Sequence, residues 1–161
     1  LLLAAEGVLK EPLLYLSLYL KANREEYYEH LQRVRTDGDW EAWLAFFVRG
    51  VRQTAEEAVA TAQRLARLFQ VDRERIAKLG RGAGSALRVH EAFLAHPIQT
   101  VKSIEEHTEL SIPTVTAALA SLAKVRLVRE LTGKRRNRVF AYDPYVKILD
   151  EGTTSPPAQG R

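Results

Sequence analysis

The stretch TVKSIEEHTELSIPTVTAALASL, residues 100–122, decides the fold class. It reads as two short helices with a tight turn between them. Thr100 stands where its hydroxyl can cap the first helix, Val101 to Thr108, by accepting an orphan backbone N–H of the opening turn. Val101 and Ile104 supply that helix with its buried side. Glu109 and Leu110 form the turn. Ser111 is placed to cap the second helix, with Pro113 in its first turn, where a missing N–H costs nothing. In this second helix Val115, Leu119 and Leu122 share one face, while Thr114, Thr116, Ala117, Ala120 and Ser121 lie largely on the other.

The flanking sequence completes the pattern. Upstream, Leu87, Val89, Phe93 and Leu94 predict an amphipathic helix ending near His96-Pro97. Downstream, residues 127–131 and 138–142 predict two strands, joined at a hairpin tip by Thr132-Gly133-Lys134-Arg135-Arg136-Asn137. Helix, helix-turn-helix and a basic-tipped hairpin, in that order, predict a winged helix-turn-helix domain over residues 86–149.

Charge supports a polyanion contact in the same region. The 161-residue chain carries a net charge of +4 from 24 basic and 20 acidic side chains. Between Lys124 and Arg138, Lys124, Arg126, Arg129, Lys134, Arg135, Arg136 and Arg138 face a single acid, Glu130, so the rest of the chain is slightly acidic. A basic block in a near-neutral protein is either an electrostatic footprint or a solvated hairpin tip. As a DNA contact, Ser111, Thr114 and Thr116 would meet phosphates or base edges from the start of the second helix, and Lys134, Arg135, Arg136 and Arg138 would attract the backbone or minor groove. That helix offers no Arg, Asn or Gln for bidentate base contacts, so strong sequence reading is not expected of it. The competing reading is a structural or protein-binding module.

Residues 1–79 read as almost entirely helical. Leu1 to Glu6 finish a helix that Gly7 closes; the run resembles part of a secretion signal but lacks the basic flank and the cleavage site. Pro12 opens an apolar helix carrying Leu13, Leu14, Leu16, Leu18 and Leu20. Asn23 and Glu26 are spaced as a capping box for a helix through Arg35. Thr36-Asp37-Gly38-Asp39 predicts a turn, with Asp39 capping the next helix. From Trp40 to Leu79, apolar or alanine residues at 44, 48, 51, 55, 58, 62, 65, 69, 76 and 79 alternate steps of four and three. That seam, broken at Asp72, suits lengthwise helix packing. A bend at Gly50 and a break at Val71-Asp72 are expected, and Ala55, Ala58 and Ala62 permit close approach of a partner helix. The partner is a second copy of the chain, as a homodimer, or the rest of the parent domain. Gly80-Arg81-Gly82-Ala83-Gly84-Ser85 predicts a linker, and residues 150–161 a disordered tail.

Composition excludes several classes of function. The chain is 46% hydrophobic and 27% charged, an ordinary globular balance. It has no cysteine, which removes disulfides, thiolate-zinc sites and cysteine nucleophiles. No two of His30, His90, His96 and His107 form a helical i,i+4 pair, so no metal site is expected. Apolar runs are too short for a bilayer span, and a cytoplasmic location is expected. There is no glycine-rich phosphate loop and no Ser-His-Asp arrangement that spacing supports. Glu25, Glu26 and Glu29 beside Tyr27, Tyr28 and His30 read as an amphipathic helix, and Trp40, Trp43, Phe46 and Phe47 as core.

The series Glu11-Pro12-Leu13-Leu14-Tyr15-Leu16-Ser17, Glu26-Tyr27-Tyr28-Glu29-His30-Leu31, Val34-Arg35 and Gly38-Asp39-Trp40-Glu41-Ala42-Trp43 resembles bacterial Fic (Fido) family proteins just after their active-site motif. Residues 80–149 resemble the winged helix that many of them carry at the C-terminus. The resemblance implies a mainly α fold: the end of an all-helical Fic domain, a long connecting helix and a winged helix. It implies a parent protein adenylyltransferase that moves AMP from ATP, with magnesium, to hydroxyl side chains of a target protein. The family motif, HPFxxGNGRxGR, supplies the base, the metal ligand and the phosphate cradle. It is absent here, so no catalytic residue is assigned and the chain alone is expected to be inactive, binding neither cofactor. A first residue other than methionine fits a processed chain or a fragment. The family's paired tyrosines near the adenine pocket match Tyr27 and Tyr28, which the resemblance marks as nucleotide contacts. The alternative is a non-enzymatic DNA-binding transcription regulator with a helical dimerisation segment.

Overall fold

The computed structural model describes residues 16–134 and 136–153, without the side chains of residues 152 and 153. The expectations for Leu1 to Gly7, for the start of the Pro12 helix, for Arg135 and for the tail beyond 153 lie outside the described residues. Within them the chain is mainly helical: α1 (Leu16–Ala22), α2 (Arg24–Asp37), α3 (Trp40–Ala77), α4 (Ala83–Ala95), β1 (Ile98–Thr100), α5 (Val101–Thr108), α6 (Ile112–Lys124), β2 (Val128–Glu130), β3 (Val139–Tyr142) and α7 (Asp143–Thr153). Among the described residues no helix is long and apolar enough to cross a membrane. The described residues divide into two compact units, 16–62 and 63–151. The division falls inside α3.

The first unit is organised around Phe46, which is fully buried. Tyr19 of α1 and Tyr27 and His30 of α2 bring their rings to 5.5, 6.4 and 5.2 Å from it. Gly50, one turn further along α3, makes this possible: a Cβ there would come within 2.5 Å of the Tyr19 ring. Between α2 and α3, Gly38 adopts the left-handed conformation at φ +70°. Its N–H reaches the Val34 carbonyl at 3.2 Å and the Asp39 N–H reaches that of Arg33 at 3.4 Å, which closes the helix. The Asp39 carboxylate then accepts the Ala42 N–H at 3.2 Å, the cap read from the sequence. The capping box does not form. Asn23 donates its amide to the Tyr19 carbonyl one turn back at 2.9 Å, and Glu26 takes Arg49 of α3 at 2.7 Å, so a local and a tertiary partner compete for the two side chains.

Helix α3 runs unbroken through Val71-Asp72, contrary to the expected break. Its buried face in the first unit is Phe46, Gly50 and Thr54. Leu44 and Val48, placed on the seam by their spacing, are 52% and 62% exposed. The bulk of Phe46 and the space over Gly50 draw α1 and α2 to a face rotated away from the apolar repeat.

In the second unit the glycine-rich stretch is not a loose linker. Gly80, at φ +73°, reverses the chain into a single 3-10 turn over Gly80–Gly82, and residues 83–85 already belong to α4. Ile76 and Leu79 on one side and Ala86 and Val89 on the other enter the same core, which leaves no slack between them. Thr100 caps α5 by accepting the Ser103 N–H at 3.1 Å. Glu109, at φ +52°, ends it. Val115, Leu119 and Leu122 of α6 are buried as their spacing requires.

The hairpin strands β2 and β3 are present, with a third strand that the sequence did not announce. β1 pairs antiparallel with β3, giving the order β1-β3-β2, with Phe140 opposite both Gln99 and Glu130. Gln99 is 5% exposed and knits the start of the motif together. Its amide donates to the Ala92 carbonyl at 2.6 Å and its carbonyl accepts the Ser103 hydroxyl at 3.0 Å. Residues 150–153, expected in the tail, continue α7.

Candidate nucleic-acid interface

Helix α6 follows the turn after α5, and three residues separate it from β2. Ile112, Pro113, Thr116, Ala117, Ala120, Ala123 and Lys124 form its exposed face. Ser111 occupies the cap position but makes no side-chain bond to the helix backbone. Its hydroxyl instead lies 2.9 Å from that of Thr114. Thr116 donates to the Ile112 carbonyl at 2.8 Å, and Ser121 to that of Ala117 at 3.0 Å. The three hydroxyls singled out from sequence are thus together at one end of α6, with Ser111 and Thr114 paired and Thr116 turned back on its own helix.

The basic residues separate into two groups. Lys124, Arg126, Lys134 and Arg136 are exposed and form no ion pair among the described residues. Arg138 and Arg129 are engaged. Arg138 binds Glu130 across the hairpin at 2.6 Å and lies over the Phe140 ring at 4.9 Å. This pairing holds the Glu130 carboxyl below its usual range. Arg129 binds Asp143 at 2.8 Å and lowers that carboxyl likewise. The structure therefore places Lys134 and Arg136 at the hairpin tip without an ion pair among the described residues, and Arg138 immediately before β3 as a brace. Gly133 at φ +59° and Asn137 at φ +53° shape the tip, and the Leu131 N–H closes it on the Val139 carbonyl at 2.8 Å.

A second feature of this unit escaped the sequence reading. Asp72, which interrupts the apolar seam, is 1% exposed. It accepts the Tyr142 hydroxyl at 2.7 Å and Arg75 at 2.8 Å. The Tyr142 oxygen lies 3.2 Å from Nε2 of buried His90. Because Tyr142 gives its proton to Asp72, His90 is the donor in the last contact. Burial holds the imidazole below its ordinary value of 6.5, against the pull of Asp72. Burial, with the bond to Asp72, pushes the Tyr142 phenol far up, so it stays protonated. Arg75 also donates to the Val125 carbonyl at 3.0 Å, which ties the end of α6 to α3.

Tyr27 and Tyr28 bring their rings edge to face, with centroids 5.4 Å apart. Tyr27 is half-buried beside Phe46, whereas Tyr28 is 55% exposed under the Arg24 guanidinium. No group of three His, Asp or Glu among the described residues is placed to hold a metal ion. His96 and His107 bring their rings to 6.1 Å with no third ligand beside them. No protein-family model matches the chain.

Proposed function

We propose that the second unit is a winged helix-turn-helix module that binds duplex DNA, with α6 in the major groove and the hairpin tip against the backbone. One observation carries this reading. The order α4, β1, α5, α6, β2, β3 with sheet order β1-β3-β2 places a helix-turn-helix beside a hairpin whose Lys134 and Arg136 are unpaired among the described residues. Phosphates are the complementary partner for exposed cations at a loop tip. The whole chain is read, on its resemblance to Fic-family sequences, as the C-terminal part of a protein adenylyltransferase. In that reading the helices of the first unit end the Fic domain, and the catalytic residues, ATP and magnesium belong to the parent protein.

Binding of the 161-residue chain to a short duplex, followed by fluorescence anisotropy across a salt series, tests the DNA-binding statement. Four phosphate contacts give a slope of log affinity on log salt near about −3.6, so affinity falls about a hundredfold between about 50 and about 200 mM salt. No binding at the low-salt end sinks the reading. Incubation of the chain with labelled ATP, magnesium and protein targets tests the assignment of the catalytic residues to the parent protein, and AMP transfer by this chain alone would overturn that assignment.

The alternative, a non-enzymatic regulator that dimerises through its helical part, is favoured by one observation. Trp40, Leu44 and Val48, at i,i+4 spacing on α3, are all more than half exposed. A concentration-dependent dimer dispersed by Leu44→Glu with Val48→Glu would support it.

A further inference from the structure

We infer that α6 selects A·T-rich DNA through the C5-methyl groups of thymine. This preference rests on the proposed DNA binding, whose site is defined by the fold topology and the free cations, and it adds which bases that site accepts. Major-groove edges are distinguished either by hydrogen bonding or by apolar contact with the thymine methyl. The exposed face of α6 is equipped for the second. Before Lys124 it carries Ile112, Pro113, Thr116, Ala117, Ala120 and Ala123, with no Arg, Asn, Gln, Asp or Glu.

The hydroxyls do not restore hydrogen-bond reading. Thr116 spends its proton on the Ile112 carbonyl at 2.8 Å. In that position its hydroxyl cannot also donate to a base acceptor, and its methyl is the part of the side chain left for apolar contact. Ser121 spends its proton on the Ala117 carbonyl in the same way. Ser111 and Thr114 are paired at 2.9 Å, which uses one of their two protons and leaves the other at the helix end, where the backbone N–H groups favour phosphate. Ile112, half exposed in the first turn, adds the largest apolar group on this face. The polar edge of any base against such a surface loses water without a replacement partner, and only thymine offsets that loss with a methyl that gains by leaving water.

The experiment uses the intact chain and four duplexes at one low salt concentration. The first is A·T-rich. The second replaces every thymine by deoxyuridine, which deletes the methyl and keeps every hydrogen-bonding group. The third is G·C-rich, and the fourth is the third with 5-methylcytosine, which places a methyl at the corresponding groove position. Each methyl contact is worth about fourfold in affinity. With two such contacts the thymine duplex should bind about sixteenfold more tightly than its deoxyuridine counterpart, and 5-methylcytosine should recover part of the loss in the G·C series. Thr116→Ser keeps the hydroxyl, removes the methyl, and should narrow the thymine-to-uridine ratio by about fourfold. Equal, salt-dependent affinity for the thymine and uridine duplexes overturns the methyl reading and leaves the DNA-binding reading standing. Binding to none of the four overturns both.

Discussion

The Tyr142 hydroxyl, at the end of β3, donates to the buried Asp72 carboxylate of α3 at 2.7 Å across 70 residues of sequence. With His90 on the other side of the phenol, the contact joins α3, α4 and the hairpin sheet through polar atoms sealed from water. Its strength lies in completeness, since each group would carry a desolvation cost if its neighbour were removed.

Tyr142→Phe removes one oxygen and keeps the ring. It leaves Asp72 with Arg75 alone and His90 with no acceptor at Nε2. The expected loss is about 1–3 kcal/mol of stability, seen as a lower urea midpoint at unchanged slope. An unchanged midpoint would mean that water replaces the phenol at no cost.

Acidification should destabilise the protein through His90. Burial depresses its pKa in the folded state, so the folded imidazole stays neutral while the unfolded chain takes up a proton below its ordinary value of 6.5. The resulting stability is fully present above 6.5 and is lost as pH falls through the lower, folded value. His90→Gln keeps a donor toward Tyr142 and removes the titration. The difference in thermal midpoint between the two proteins should shrink as pH drops from about 7 to about 5. A constant difference would show that His90 does not contribute to the acid response.

Gly50→Ala opposes two effects of known size. Alanine gains about 1 kcal/mol of helix propensity over glycine. Its methyl would sit 2.5 Å from the body of the Tyr19 ring, and such overpacking costs about 1–3 kcal/mol. The net expectation is a less stable first unit, with Gly50→Ala partly rescued by Tyr19→Ala. A rise in thermal midpoint for the single variant would show that α1 does not approach α3 there.

The two classes of basic side chain should separate in DNA binding. Lys134→Ala with Arg136→Ala removes two free cations and should flatten the salt slope by about 1.8 while weakening all sequences alike. Arg138→Ala breaks the ion pair with Glu130 and the contact over Phe140, so it should disturb hairpin order more than salt slope. If Arg138→Ala changes the slope as much as the double variant does, the division between free cations and brace is wrong.

Local chemistry was legible from the residues alone. Thr100 and Asp39 cap their helices because a cap needs only a side-chain oxygen two or three residues before an orphan N–H. Val115, Leu119 and Leu122 are buried because one helix face can be read from spacing. Helix α7 was missed although Asp143-Pro144 is a fair opening signal. Strand β1 was missed because three residues are too few to alternate, and its pairing partner lies some forty residues away.

By itself the sequence determined a mainly helical chain with two short helices joined by a turn, a basic hairpin and no cysteine chemistry, since those features follow from periodicity, capping and composition. Tertiary structure alone decided that Asp72 is a buried acceptor rather than a helix break, that Gly50 makes room for Tyr19, and that Arg138 is held while Lys134 and Arg136 are free. The physical reason is common to all three. The energy of a polar or small side chain depends on what long-range neighbours offer it in place of water, and that partner is not encoded within a helical turn of the residue.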